Sequence, residues 1–180
     1  MIPFTNEVIQ IDSLPKYEEA EMTPIQKNYW TVLVINFLIF FLVVGGFVTG
    51  FSFLSDMRGN QVYILSGYVV IMLAVFFLQK MAFSKRSYAI RERDIIYRHG
   101  ILATITTIIP FTRIQHVALN EGFVSRYYKL AQLQIYTAGG ASSDLKISGL
   151  SKDDADKIKE LIMLRIKNKE ENLKNEGAEI

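Results

Sequence analysis

Two stretches of this chain carry no charged side chain: Asn28 to Ser55, 28 residues, and Gly59 to Gln79, 21 residues. A helix on the surface of a soluble domain shows a polar stripe along its outer face, and neither run has one. Trp30 to Leu54 contains seventeen Leu, Ile, Val or Phe residues. As a helix it rises about 37 Å at about 1.5 Å per residue, more than a hydrocarbon core of roughly 30 Å requires. On an insertion scale those side chains contribute roughly −5 to −10 kcal/mol as an upper bound. The second run holds eleven such residues plus Met72 and Ala74, worth roughly −3 to −7 kcal/mol before its polar positions are counted. Both runs are expected to span a membrane.

Only Asp56, Met57 and Arg58 separate the runs, so the spans must be antiparallel neighbours with both chain ends on one side. Lys80, Lys85, Arg86, Arg91, Arg93 and Arg98 follow the second span, whereas the connection offers Arg58 alone. The bias of Lys and Arg toward the inner side therefore predicts that both termini are cytoplasmic. Before the first span, Glu7, Asp12, Glu18, Glu19 and Glu21 outnumber Lys16 and Lys27, which argues against a cleaved signal peptide and for a retained anchor. Neither span contains an ionisable residue, so the usual marks of an ion or proton path are missing and a channel or transporter is disfavoured. Gly46 and Gly50 form a G-x-x-x-G pair that lets helices approach closely. They are expected to pack against the second span around Ser66 and Gly67, with a homodimer contact as the rival, and Asn36 is expected to hydrogen-bond across helices.

The sequence divides into an arm over 1–28, the hairpin over 29–80 with spans near 30–54 and 59–79, a β-rich module over 86–169 and a polar tail over 170–180. Pro3, Pro15 and Pro24 make the arm extended or disordered, although Val8, Ile9 and Ile11 could add a strand to a sheet edge. In the module, Tyr88–Arg91 and Asp94–Arg98 read as strands. Ile101, Ala103, Ile105 and Ile109 fall on alternate positions of a third, which Pro110 ends. Arg113–Leu119 is a strand with a bulge, and 123–130 has helical potential. Gln132–Thr137 sets Leu133 and Ile135 on one face, and Gly139, Gly140, Ser142 and Ser143 make a hairpin loop before the strand of Leu145 and Ile147. Ser151 can cap a final amphipathic helix, with Asp153, Asp154 and Asp156 at its positive end. That helix must bury a stripe of Ala155, Ile158, Ile162 and Ile166, joined by Leu161. The expected fold class is an α+β membrane protein: a two-helix hairpin followed by a bent antiparallel sheet or open barrel closed by a C-terminal helix.

Ile109-Pro110-Phe111-Thr112-Arg113-Ile114-Gln115-His116-Val117, then Arg126, Leu130-Ala131 and Tyr136-Thr137-Ala138-Gly139-Gly140 resemble the bacterial pleckstrin-homology family of YdbS-like membrane proteins. The resemblance covers about residues 87 to 165, and the preceding pair of spans matches the family layout. It implies a PH-like fold and a bacterial cytoplasmic, or inner, membrane protein. It supplies no catalytic residues to carry over. Relatives often have Gly before the Leu-Ala pair, where this chain has Lys129.

The residues themselves point away from catalysis. With no Cys, thiolate chemistry, disulfides and Cys-ligated zinc are excluded. His99 and His116 lie on different strands without metal-ligand spacing, so no metal and no cofactor is expected. Ser143 and Asp144 could join a histidine in a triad, but a hairpin loop explains them. The Ala138–Ser143 loop lacks the Gly and Lys spacing of a phosphate-binding loop. Nucleic acid is disfavoured for a tethered domain with 17 basic and 12 acidic residues from Lys80 to Ile180. Lys80, Lys85, Arg86, Arg91, Arg113, Arg126 and Lys129 are candidate contacts to lipid headgroups or to an interface, because each cation near an anionic leaflet contributes about 1 kcal/mol. The same juxtamembrane charges could simply fix topology. The expected function is a non-enzymatic protein-interaction or assembly module that meets a partner or a second copy. Anionic-lipid binding and an accessory role beside a transporter are the alternatives.

Overall fold

The computed structural model describes residues 20–54, 58–140 and 143–178, leaving aside the side chains of Arg58 and of residues 169–178. Val8, Ile9 and Ile11 lie outside the described residues. The two charge-free runs form α1 (Asn28–Leu54) and α2 (Gln61–Ser84), both long and apolar enough to cross a membrane. Their outer faces expose Leu42, Phe47, Val70 and Phe77, as lipid-facing surfaces do.

The helices pair through aromatic side chains. Trp30 lies 5.6 Å from Phe76 and 5.5 Å from Phe83, and Phe37 lies 5.4 Å from Phe76. Deeper in the pair, Phe41 stacks on Tyr68, whose hydroxyl donates to the Phe41 carbonyl at 2.6 Å. This satisfies a polar group that hydrocarbon would leave without a partner. A Cβ on Gly45 would stand 3.3 Å from the Tyr68 ring, whereas one on Gly46 or Gly50 would meet nothing within 4 Å. The expectation for the glycine pair is therefore corrected. At about 100° per residue, Phe37, Phe41 and Gly45 share the side facing α2, and Gly46 and Gly50 turn away from it. Asn36 is likewise exposed rather than directed at α2.

Among the described residues, seven strands form two antiparallel sheets. The first joins β1 (Thr23–Pro24), β2 (Ser87–Ile90), β3 (Asp94–His99) and β4 (Ile105–Pro110) in that order. The arm thus reaches the sheet edge through Thr23, opposite Tyr88, and Pro24, opposite Ser87. The second joins β5 (Ile114–Asn120), β6 (Leu130–Thr137) and β7 (Leu145–Ser151), with α3 (Phe123–Tyr127) between β5 and β6. The bulge expected in β5 lies between Ile114 and His116. The sheets do not close into a barrel: β4 and β5 are separated by a 3-10 turn over Phe111–Arg113 and do not pair. The third strand also starts later than alternation predicts. Gly100, at φ +140°, sits so tightly against the Ala103 carbonyl that only glycine fits, and residues 101–104 form a turn that leaves Ile101 and Ala103 exposed.

Helix α4 (Lys152–Ala178) closes the core and continues well past residue 169. Ser151 accepts the Asp154 amide at 3.1 Å as its cap. Ala155, Ile158 and Ile162 pack with Ile95, Tyr97 and Ile109 of the first sheet and Leu133, Ile135 and Ile147 of the second, and Ile166 joins at the margin. Each full burial of such a side chain stabilises by roughly 1.5–3 kcal/mol. Leu161 stands outside the stripe and is exposed.

The hairpin packs directly against this core. The Gln26 amide donates to the Gly149 carbonyl at 2.9 Å, and Gly149, at φ +85°, lies under the Tyr29 ring, where a Cβ would come within 2.6 Å of it. Val32 is buried, although it points about 180° away from the α2-facing side of α1. The β module covers it, since α3 and β7 both pack against α1.

Candidate functional site

The seven basic residues singled out in the sequence separate into two groups. Arg91 follows β2, at the end of the strand far from α2, and holds the carboxylate of Asp94 with Nε at 2.7 Å and Nη2 at 2.6 Å. That hydrogen bond, with the aspartate charge beside it, raises the Arg91 pKa. Arg113 ends the turn whose Phe111 amide donates to the Arg93 carbonyl at 3.0 Å, so it belongs to the same far end. Neither residue faces the spans. Lys80, in the last turns of α2, and Lys85 and Arg86, just beyond it, cluster at the membrane end of the hairpin. Lys85 donates to the Ile101 carbonyl at 2.7 Å. Arg126, on α3, and Lys129 lie at the start of α1, where Lys129, Tyr128, Gln26 and Asn28 line one cleft.

Lys129 occupies the left-handed region at φ 53°, a conformation that suits glycine and is strained for lysine. Its carbonyl accepts the Lys152 amide at 3.0 Å, which ties α3 to the start of α4. Lys152 also forms an ion pair with Glu121, which raises the lysine pKa.

The histidines take part in stacking. His116 lies 4.2 Å from Tyr136, and His99 lies 5.2 Å from Tyr97. A crevice between the sheets gathers His99, Ser143 and Asp144, but the last two close their own hairpin. Asp144 accepts the Thr137 amide at 3.1 Å, Ser143 donates to the Gly140 carbonyl at 2.8 Å, and its Oγ also bonds the Thr137 hydroxyl.

An open apolar concavity lies between β5 and α4. It measures about 860 Å³ and is lined by Gln115, His116 and Val117 on the strand and by Met163, Leu164 and Ile166 on the helix. Met163 and Leu164 are 53% and 61% exposed. Among the described residues β5 pairs with β6 alone, so the strand that lines the groove is an edge strand of its sheet. Lys159, Glu160 and Lys167 rim it. Such a site offers backbone hydrogen bonds along the strand and apolar contact from the helix, the pairing by which sheet edges take up an extended peptide. Reading one apolar stripe on α4 overlooks these residues. The signal was that Met163 and Leu164 exceed what one core-facing stripe needs.

Comparison with known proteins places the chain among membrane proteins. A family model described as the bacterial PH domain matches residues 31–166. The chain is 29% identical over 119 residues to the UPF0699 transmembrane protein YdbT of Bacillus subtilis, covering 63% of this chain and 24% of that protein. It is 30% identical over 90 residues to the UPF0699 transmembrane protein YdbS of the same organism, covering 50% of this chain and 55% of that one. It thus spans about a quarter and just over half of these two relatives. No solved structure matches significantly.

Proposed function

The chain belongs to the bacterial PH domain family, and from that premise we propose that it is a non-enzymatic membrane-anchored module whose β5–α4 groove docks a segment of a partner protein. In this reading the anchor is the hairpin over 29–80 and the module spans 86–169, and the basic bias after α2 supports a cytoplasmic side for the module. The observation that carries the reading is an apolar groove beside an open strand edge. It begins about 10 Å along α4 from the membrane-proximal start of that helix, which leaves it open to a partner above the bilayer.

The test is a photo-crosslinking residue at Met163 of the full chain, irradiated in native membranes and read by mass spectrometry. A reproducible adduct of one mass, lost on Leu164→Asp, is the expected result. Recovery of uncrosslinked chain alone would sink the reading.

A second reading draws on the convergence of Lys80, Lys85, Arg86, Arg126 and Lys129 at the membrane end: these residues gather anionic lipids around the anchor. Lipids retained by the purified full chain would then be enriched in phosphatidylglycerol over the bulk membrane. The enrichment would fall with Arg126→Gln and Lys129→Gln together, and an unchanged lipid profile would exclude the idea.

A further inference from the structure

Two exposed apolar tips flank the membrane end of the hairpin. One is the turn after β3, where Leu102 is 88% exposed and Ile101 and Ile105 stand beside it at 37% and 53%. The bond from Lys85 to the Ile101 carbonyl ties this turn to the residue that follows α2. The other tip is α3, which packs against α1. Its Val124 and Ser125 are half-buried, while Phe123 is 96% and Tyr127 84% exposed. Trp30, three residues into α1, meets Phe83 near the last residue of α2. The start of α1 and the end of α2 are therefore at one level, with a tip beside each. A charged or polar loop would suffice if these segments faced water, and apolar patches of this kind mark contact surfaces.

We propose that Leu102 with its neighbouring isoleucines, and Phe123 with Tyr127, insert into the headgroup and acyl boundary of the leaflet from which the hairpin emerges. The occupant is the bilayer itself, because one tip is tied to the residue that follows α2 and the other packs against α1, both helices long and apolar enough to cross a membrane. Tyr127 suits that depth, with an apolar ring and a hydroxyl that reaches the headgroups. Arg126 and Lys85 can bury their stems and keep their charges at the phosphates. Inserted on both sides of the anchor, the module has a fixed tilt on the membrane, and α4 leads away from the surface. This inference rests on α1 and α2 crossing the membrane and is independent of any partner in the β5–α4 groove.

The chain has no cysteine, so single cysteines report on depth without background. Leu102→Cys, Phe123→Cys and, as the solvent control, Lys157→Cys, exposed on α4 outside the groove, are placed in the full chain and labelled with a membrane-impermeant maleimide. Labelling is done in vesicles open to reagent on both sides, made either of phosphatidylcholine alone or of phosphatidylcholine with phosphatidylglycerol. Positions 102 and 123 are expected to react at least about tenfold more slowly than position 157 in both lipids, and to match it once the protein is unfolded in urea and detergent. Equal rates in vesicles would overturn the proposal. So would protection that appears only with phosphatidylglycerol, since that describes attraction of the basic residues without insertion. Phe123→Trp in a Trp30→Phe background gives an independent reading. Quenching by dibrominated phosphatidylcholine supports insertion, and unquenched emission opposes it.

Discussion

Gly149→Ala probes the joint between the hairpin and the β module. The added Cβ would lie 2.6 Å from Cγ and 2.7 Å from Cδ1 of Tyr29, about 1 Å inside the ordinary separation of carbon atoms. Moving the ring aside is an overpacking cost of about 1–3 kcal/mol. The φ of +85° at this position adds about 1–2 kcal/mol for any residue with a Cβ. Restricting the unfolded chain offsets about 0.4–1 kcal/mol of this. The net loss is about 1–4.6 kcal/mol. The assay is urea unfolding of the full chain in detergent micelles, followed by Trp30, the chain's one tryptophan and the neighbour of Tyr29. A double-mutant cycle then separates the two causes. In a Tyr29→Ala background the clash is gone and the backbone cost remains, so the loss should shrink by about 1–3 kcal/mol. An identical loss in both backgrounds would show that Tyr29 does not lie over Gly149, and the docking of the hairpin on β7 would fall with it.

Three further outcomes are expected. Ile162→Ala opens a cavity where α4 meets both sheets and should lower stability by about 2–5 kcal/mol, read from the same urea titration; a change under about 0.5 kcal/mol would place α4 off the core. At Lys129, already left-handed at φ 53°, Lys129→Gly should alter stability by less than about 1 kcal/mol while the β-branched Lys129→Val lowers it by about 1–2 kcal/mol, and equal effects would contradict that conformation. Burial pushes the Tyr97 phenol upward, and burial with the Asp154 charge does the same for Tyr88. For a raised folded-state pKa the stabilising effect is complete below the unfolded value of about 10 and is lost as pH rises through the folded one. Stability measured against pH should therefore decline above about pH 10, less steeply in Tyr97→Phe, and a parallel decline in that variant would remove Tyr97 as the cause.

Much of this architecture is legible locally. A charge-free run of more than about 20 residues has one stable solution in lipid, a spanning helix. The alternation of Leu133 and Ile135, and the three-and-four spacing of Ala155, Ile158, Ile162 and Ile166, follow from the periods of strand and helix. The family resemblance also sits in contiguous residues. Alternation misled at Ile101 to Ile105, because a tight turn at Gly100 overrides the side-chain pattern when the backbone must reverse. It could not separate Leu161, which faces out, from Ile162, which is buried beside it.

What the sequence alone determined is which segments are helices, which are strands and which must leave water, since each of those depends on neighbours along the chain. Tertiary structure decided everything that depends on how the elements meet. It chose Gly45 over Gly46 and Gly50 as the contact with α2, split the strands into two sheets, and sent Arg91 and Arg113 to the end away from the spans while bringing Lys85, Arg126 and Lys129 beside them. The physical reason is that helix rotation, sheet pairing and docking angle are fixed by close packing between residues far apart in the chain. No local period records those contacts.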